Sequence, residues 1–253
     1  MMNTLERALI EKAGYEHGWE YVIESQETSV VLASARHRAQ VRIMPRITGK
    51  SWSIEVPPGL LRQELIRSLP ELAQVNGDLI ASDMDQLVRL LRRTAKLAQS
   101  LPNQAALTFA ARVQDALQKT LTSTTEVERL VKLRVGQDTF REALMDYWGS
   151  ACAVTGIALP EVLRASHAKP WAACETDEER LDVFNGFLLC ANLDALFDRG
   201  LITFDDSGQV IYSSLLNPEH RLCLNLRDDL TLRWLTPTHK PYLAWHRERV
   251  FNL

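Results

Sequence analysis

Asp194 and Asp198 stand four positions apart in Asp194-Ala-Leu-Phe-Asp198, and this spacing restricts the local fold more than any other feature of the chain. If the segment is helical, both carboxylates project from one face, where their oxygens can share a hard divalent cation. Asn185 precedes Asp194 by nine positions and follows His167 by 18, which leaves room for a loop between the histidine and the asparagine. One histidine, one asparagine and two acids at these distances suit a single metal-dependent hydrolytic site.

A chain of 253 residues with 46% hydrophobic content can bury one large core or two ordinary ones, and two domains are expected. A charged fraction of 24% and a net charge of -3 do not mark the whole chain as a nucleic-acid binder, so any basic surface must be local. No apolar run approaches the roughly 20 residues that cross a bilayer. The opening Met-Met-Asn-Thr-Leu-Glu-Arg lacks a basic region followed by an apolar one, so neither membrane insertion nor secretion is expected. Cys152, Cys174, Cys190 and Cys223 include no Cys-x-x-Cys pair. They outline neither a disulfide framework nor a zinc knuckle, and a reducing cytoplasm is the expected compartment.

The first half reads as a mixed α/β unit with a small antiparallel sheet. A helix over 4–14, with Leu5, Leu9, Ile10 and Ala13 at helical spacing, closes at Gly14. Short segments over 19–23, 29–33, 39–44 and 51–56 are rich in β-branched and aromatic residues and read as strands. In the third, Ala39, Val41 and Ile43 alternate with Arg38, Gln40 and Arg42, which sends the apolar set to the core and two guanidiniums outward. With Arg36, Arg46 and Lys50 nearby, this face is a candidate phosphate-tracking patch or simply a solvated sheet surface. Ser82 caps a predicted helix toward Gln99 whose Arg89, Arg92, Arg93 and Lys96 form a basic stripe. Leu101-Pro102-Asn103 ends it, another helix covers 104–119, and the polar stretch from Leu121 to Thr125 reads as a connector. The domains are therefore drawn as 1–122 and 123–253.

From Glu126 a helix continues through Arg134, and Gly136-Gln-Asp138 leads into a second helix over 139–148 with Phe140, Leu144 and Tyr147 on one face. Taken in order, Arg134-Val-Gly-Gln137-x-x-Phe140-Arg141, Cys152-Ala-Val-Thr-Gly156, Ala165-Ser-His167-x-Lys-Pro-Trp171, Asn185-Gly186-x-Leu-Leu189 and Leu196-Phe-Asp-Arg-Gly200 resemble an HNH endonuclease domain. The branch it resembles is often found in restriction and phage-defence proteins. The similarity runs from near Glu126 to the closing Tyr242-Leu-Ala-Trp-His246-Arg-Glu-Arg-Val-Phe251. It implies an α+β chain in which a helical lead-in precedes a ββα-metal fold. His167 then ends the first strand, Asn185 lies in or beside the loop to the second, and residues 192–199 form the crossing helix, with Asn192 as its N-cap.

By that resemblance His167 is the general base, taking a proton from the water that attacks the scissile phosphate; an unperturbed pKa near 6.5 suits the task. Asn185 aims the ring through amide hydrogen bonds, although Asn-Gly is also a common turn pair. Asp194, Asp198 and Ser166 make up the candidate metal shell, with Ser166 standing where many members carry aspartate. Oxygen donors of this kind favour Mg²⁺ or Mn²⁺ over Zn²⁺. Asp198 has an alternative use in an ion pair with Arg199 or Arg164. Arg164, Lys169 and Arg199 flank the site as candidate nucleic-acid contacts, joined in the first half by Arg38 and Arg42. Trp171 and Trp245 read as packing residues, and His17, His37, His220 and His239 have no partner motif. The expected protein is a cytoplasmic, metal-dependent endonuclease acting on double-stranded DNA in restriction or antiviral defence, its first domain recruiting or licensing the second. A homodimer is compatible with cutting two strands. A nuclease toxin, an RNA-cleaving enzyme and a catalytically silent DNA-binding module are the alternatives.

Overall fold

The computed structural model describes residues 1–46, 51–102, 104–119 and 125–252. They fall into two compact units, Met1–Gln104 and Ala105–Leu253. Lys50, Asn103 and most of the polar connector, with the domain boundary drawn through it, lie outside the described residues.

In the first unit, α1 (Thr4–Glu16) opens on a reciprocal capping box between Asn3 and Glu6. It does not stop at Gly14, as the glycine suggested. Gly14 is buried within the helix, where a Cβ would run into Leu32, and the left-handed turn falls instead on Gly18. Then come β1 (Tyr21–Ser25), β2 (Val30–Ala33), β3 (Gln40–Pro45), β4 (Trp52–Glu55), α2 (Leu60–Ser68), β5 (Leu79–Ala81) and α3 (Met84–Ser100). The five strands pair antiparallel in chain order into one sheet. The alternation in β3 buries Val41 and Ile43 and leaves Arg38 and Gln40 exposed. The N-cap of α3 is Asp83 rather than Ser82, its side chain accepting from the Gln86 amide. Leu87, Leu90, Leu91 and Leu97 on α3 are buried, and the Trp19 indole donates to the Leu91 carbonyl at 3.0 Å. At the end of this unit α4 (Gln104–Gln118) begins.

The second unit is organised by α5 (Thr125–Tyr147), one unbroken helix where the sequence suggested two. A glycine inside a helix costs about 1 kcal/mol relative to alanine, yet Gly136 has a packing role: a Cβ there would collide with the Trp171 ring. After α5 come β6 (Leu163–His167), α6 (Asp177–Arg180), β7 (Gly186–Cys190) and α7 (Ala191–Asp198). β6 and β7 pair antiparallel with His167 opposite Gly186, and α7 leaves β7 directly to pack on both strands, completing a ββα unit. The cap of α7 is Cys190, with no side-chain capping bond, so Asn192 lies inside the first turn instead of capping it. Gly200, in the left-handed region at φ 65°, ends that helix as a glycine normally does. A hairpin of β8 (Ile202–Phe204) and β9 (Val210–Tyr212), then α8 (Pro218–Cys223) and α9 (Lys240–Arg249), complete the unit. Its core is aromatic: Phe140, Tyr147, Trp148, Phe184, Phe187, Phe197 and Phe204 are all buried. Among the described residues no helix is long and apolar enough to cross a membrane.

Candidate active site

Strand alternation divides Ser166 from His167. Ser166 turns its hydroxyl to α7, donating to Asp194 Oδ1 at 2.5 Å, while the His167 ring lies flat against Phe140 of α5, with centroids 3.7 Å apart and planes within 14°. The Trp171 edge approaches the imidazole at 6.1 Å. Two glycines make these contacts possible, because a Cβ on Gly136 would strike Trp171 and one on Gly186 would strike Phe140. The imidazole is thus clamped by two rings, each seated in a glycine notch.

Its tautomer is determined by the backbone. His167 Nε2 lies 2.8 Å from the Arg180 carbonyl. A carbonyl can only accept, so Nε2 carries the proton and donates it, and Nδ1 in the neutral ring keeps its lone pair. Nδ1 has no protein partner among the described residues, and His167 borders a cleft of about 590 Å³ together with Gln137, Arg141, Arg164, Trp171 and Asp198. Burial lowers its pKa to about 4, well below the ordinary value near 6.5, against a smaller opposing effect of the Arg180 carbonyl. The ring is therefore neutral throughout the physiological range.

His246 also borders the cleft, but it is built differently. Its Nε2 donates to the Phe197 carbonyl at 3.0 Å and its Nδ1 accepts from the Thr203 hydroxyl at 3.0 Å, with the ring stacked on Phe197. Both nitrogens are occupied, so this histidine ties α7, β8 and α9 together and has no lone pair to offer.

Asn185 is fully buried and its amide holds the loop that follows His167. The side-chain oxygen accepts from the Lys169 amide at 2.8 Å, and Nδ2 donates to the carbonyls of Lys169 at 3.1 Å and Glu179 at 3.2 Å and to Cys174 Sγ at 3.3 Å. The Asn185 carbonyl accepts from the Ala168 amide at 2.9 Å. One amide side chain thereby ties the loop before α6 to Glu179 within it, and that helix ends at Arg180, whose carbonyl accepts the hydrogen bond from His167 Nε2.

On α7, Asp194 receives the Ser166 hydroxyl, and Asp198 opens into the cleft. Partial burial of its carboxyl, and then the charge of Asp194, push the pKa of Asp198 up to about 6. Among the described residues Asp198 makes no ion pair with Arg199 or Arg164. Arg164 borders the cleft and Arg199 is exposed, whereas the Lys169 ammonium is bound to Glu179 at 2.6 Å with both side chains mostly buried. Arg38 and Arg42 belong to the first unit: Arg38 is exposed, and Arg42 meets Ser29 at 3.0 Å, Glu24 at 3.4 Å and Glu55 at 3.9 Å.

Residues 152–205 match the HNH endonuclease family. The matched stretch contains β6, β7 and α7 with Ser166, His167, Asn185, Asp194 and Asp198, and it supports nuclease activity in general, with nucleic acid as the class of substrate such a domain implies. A comparison of the chain with curated proteins finds no match. HNH nucleases generally use divalent metal ions. Among the described residues no three His, Cys, Asp or Glu side chains converge, and α7 offers a pair of carboxylates. That donor set fits a hard cation, which binds through one or two carboxylates and completes its shell with water and substrate oxygens.

The contributions of Gly136, Phe140 and the Arg180 carbonyl were not assigned from the sequence. Gly136 and Phe140 lie four residues apart, one helical turn, a signal that was present but masked by reading the glycine as a break. A backbone carbonyl leaves no mark in a sequence.

Proposed function

We propose that the second unit is a metal-dependent DNA endonuclease in which His167 is the general base. The observation that carries this reading is the half-satisfied imidazole: Nε2 is held by the Arg180 carbonyl, Nδ1 has no protein partner among the described residues, and the residue borders the cleft that Asp198 and Arg164 also border. Nδ1 takes a proton from a water as its oxygen forms a bond to the scissile phosphorus and the bond to the 3′ oxygen breaks. An incoming phosphodiester places negative charge beside the ring and raises its basicity from the low value of the free protein. Phe140, Trp171 and the Asn185-tied loop keep the ring oriented, so little is spent on reorganisation during attack. Asp194 and Asp198 would hold the cation, which when bound stabilises charge on the phosphoryl and leaving oxygens. Ser166 serves that shell through Asp194, to which it donates its proton.

Restriction of foreign or modified DNA is the setting we favour, with the first unit recruiting the second to its target; the support is the resemblance to restriction and defence nucleases. Four free thiols suit a reducing cytoplasm. The test is nicking of supercoiled plasmid by the purified chain with Mg²⁺ or Mn²⁺, beside His167→Ala. Nicking by the wild type alone supports the assignment. DNA binding without cutting in any divalent metal would establish a silent binding module instead, and cleavage confined to RNA would move the substrate.

A further inference from the structure

The cleft, which Asp138 and Asp198 also line, contains two arginines that pair with no carboxylate among the described residues. Arg141, on α5, donates from Nη1 to the Leu163 carbonyl at 2.7 Å and from Nη2 to the Pro160 carbonyl at 3.0 Å. Arg164, on β6, donates from Nη1 to that same Leu163 carbonyl at 2.9 Å and to the Glu161 carbonyl at 3.0 Å. Both border the cleft that His167 and Asp198 share. Neutral oxygens hold the two forks in place without cancelling their charge, and among the described residues neither guanidinium lies within ion-pair distance of an acid. Other arginines of the same unit are treated differently: Arg112 meets Glu142, Arg180 meets Asp177 and Arg247 meets Asp206.

Two like charges drawn to one carbonyl repel each other, and an anion between them removes that repulsion. Each guanidinium has five donors, and the carbonyl bonds leave Nε and further Nη hydrogens of both for a ligand. Planar forks of this kind match phosphate oxygens in pairs. We propose that Arg141 and Arg164 form a phosphate clamp that grips the backbone of duplex DNA next to the phosphate presented to His167. The clamp rests on the nuclease reading of the same cleft, and it adds Arg141, a residue of the helical lead-in outside the matched stretch 152–205.

The clamp is tested by binding without cutting. Affinity for a short labelled DNA duplex is followed by fluorescence anisotropy in EDTA across a range of salt, for the wild type, Arg141→Gln, Arg164→Gln and the double variant. Each phosphate contact contributes a slope of about 0.9 to the fall of log affinity with log salt. The slope should therefore drop by about 0.9 in each single variant and by about 1.8 in the double variant. Arg112→Gln, which removes an arginine already paired with Glu142, should leave it unchanged. Arg141→Lys keeps the charge and restores the slope, which a folding defect would not do. A wild-type slope in Arg141→Gln, or a reduced slope persisting in Arg141→Lys, overturns the clamp. An arginine-dependent slope on duplex RNA but not on DNA overturns its assignment to DNA. Failure of the nuclease reading shows separately, as a wild type that binds with the full slope yet nicks no plasmid in Mg²⁺ or Mn²⁺.

Discussion

Two arginines at the sheet of the first unit and two at the cleft of the second are held in opposite ways. On the sheet of the first unit, Arg42 is held by Glu24, Glu55 and Ser29, and Arg36 by Glu20. At the cleft of the second, Arg141 and Arg164 are held by carbonyls alone. In sequence both sets look like basic surface, yet one is closed by its own acids and the other stays open to an anion. The lesson is that a guanidinium's availability depends on what neutralises it, and the acids that do so can be far away in the chain: Glu24 lies 18 residues before Arg42.

The contrast extends to single polar side chains and can be broken by mutation. Asn185→Ala should have the largest structural effect, because it leaves the part-buried Glu179 carbonyl and Lys169 amide without their side-chain partner and removes one of two donors to the Lys169 carbonyl. Each stranded group costs about 1–3 kcal/mol, so denaturant unfolding should show the second unit destabilised by several kcal/mol with the first unchanged. An equal loss in both units would contradict the division drawn here. Next, Gly136→Ala should cost about 1–3 kcal/mol by overpacking against Trp171 and slow nicking through the displaced ring. Adding Trp171→Leu should recover stability without recovering rate. If the double variant nicks at the wild-type rate, Trp171 has no part in orienting His167.

Acidity gives a third handle. With pKa values of about 6 for Asp198 and about 4 for His167, nicking at limiting metal should decline as pH falls through about 6. Saturating metal competes with the proton at Asp198 and should move that limb toward the lower value. A limb that ignores metal concentration would remove Asp198 from the cation shell. In the metal-free protein a carboxyl raised from 3.8 to about 6 on folding costs stability, and this cost appears as pH rises through this window. Asp198→Asn should therefore raise the melting temperature at pH 7 and leave it nearly unchanged below the unfolded value. The smallest effect belongs to Arg42→Gln: loss of its exposed pairs should cost the first unit less than about 1 kcal/mol and leave the salt slope of DNA binding intact. A reduced slope would show that the sheet tracks phosphates after all.

Much of this architecture was legible where period and burial agree. β2 to β4 fall within about a residue of their predicted segments because alternation such as Val41 and Ile43 against Arg38, Gln40 and Arg42 has one physical solution. β5, with three residues, was too short to show any alternation. Gly14 and Gly136 were misread for one reason: a glycine is either a break or a notch, and only the neighbour decides, here Leu32 and Trp171. In the site, the spacing of His167, Asn185, Asp194 and Asp198 pointed to one cluster of chemistry. It did not show that Ser166 and His167 face opposite helices, that the Lys169 charge is consumed by Glu179, or that a carbonyl selects the tautomer. Those facts depend on partners with no fixed sequence distance.

The central claim is that Nδ1 of His167 removes the proton from the attacking water. Its most direct test is the single-turnover nicking rate of wild type and His167→Ala at neutral pH with saturating metal, with DNA affinity measured in parallel. General-base catalysis contributes about 10²- to 10⁴-fold, so the rate should fall by that factor while affinity stays near wild type and the protein stays folded at the assay temperature. A His167→Ala rate within a few-fold of wild type, with the protein folded and bound, would contradict it.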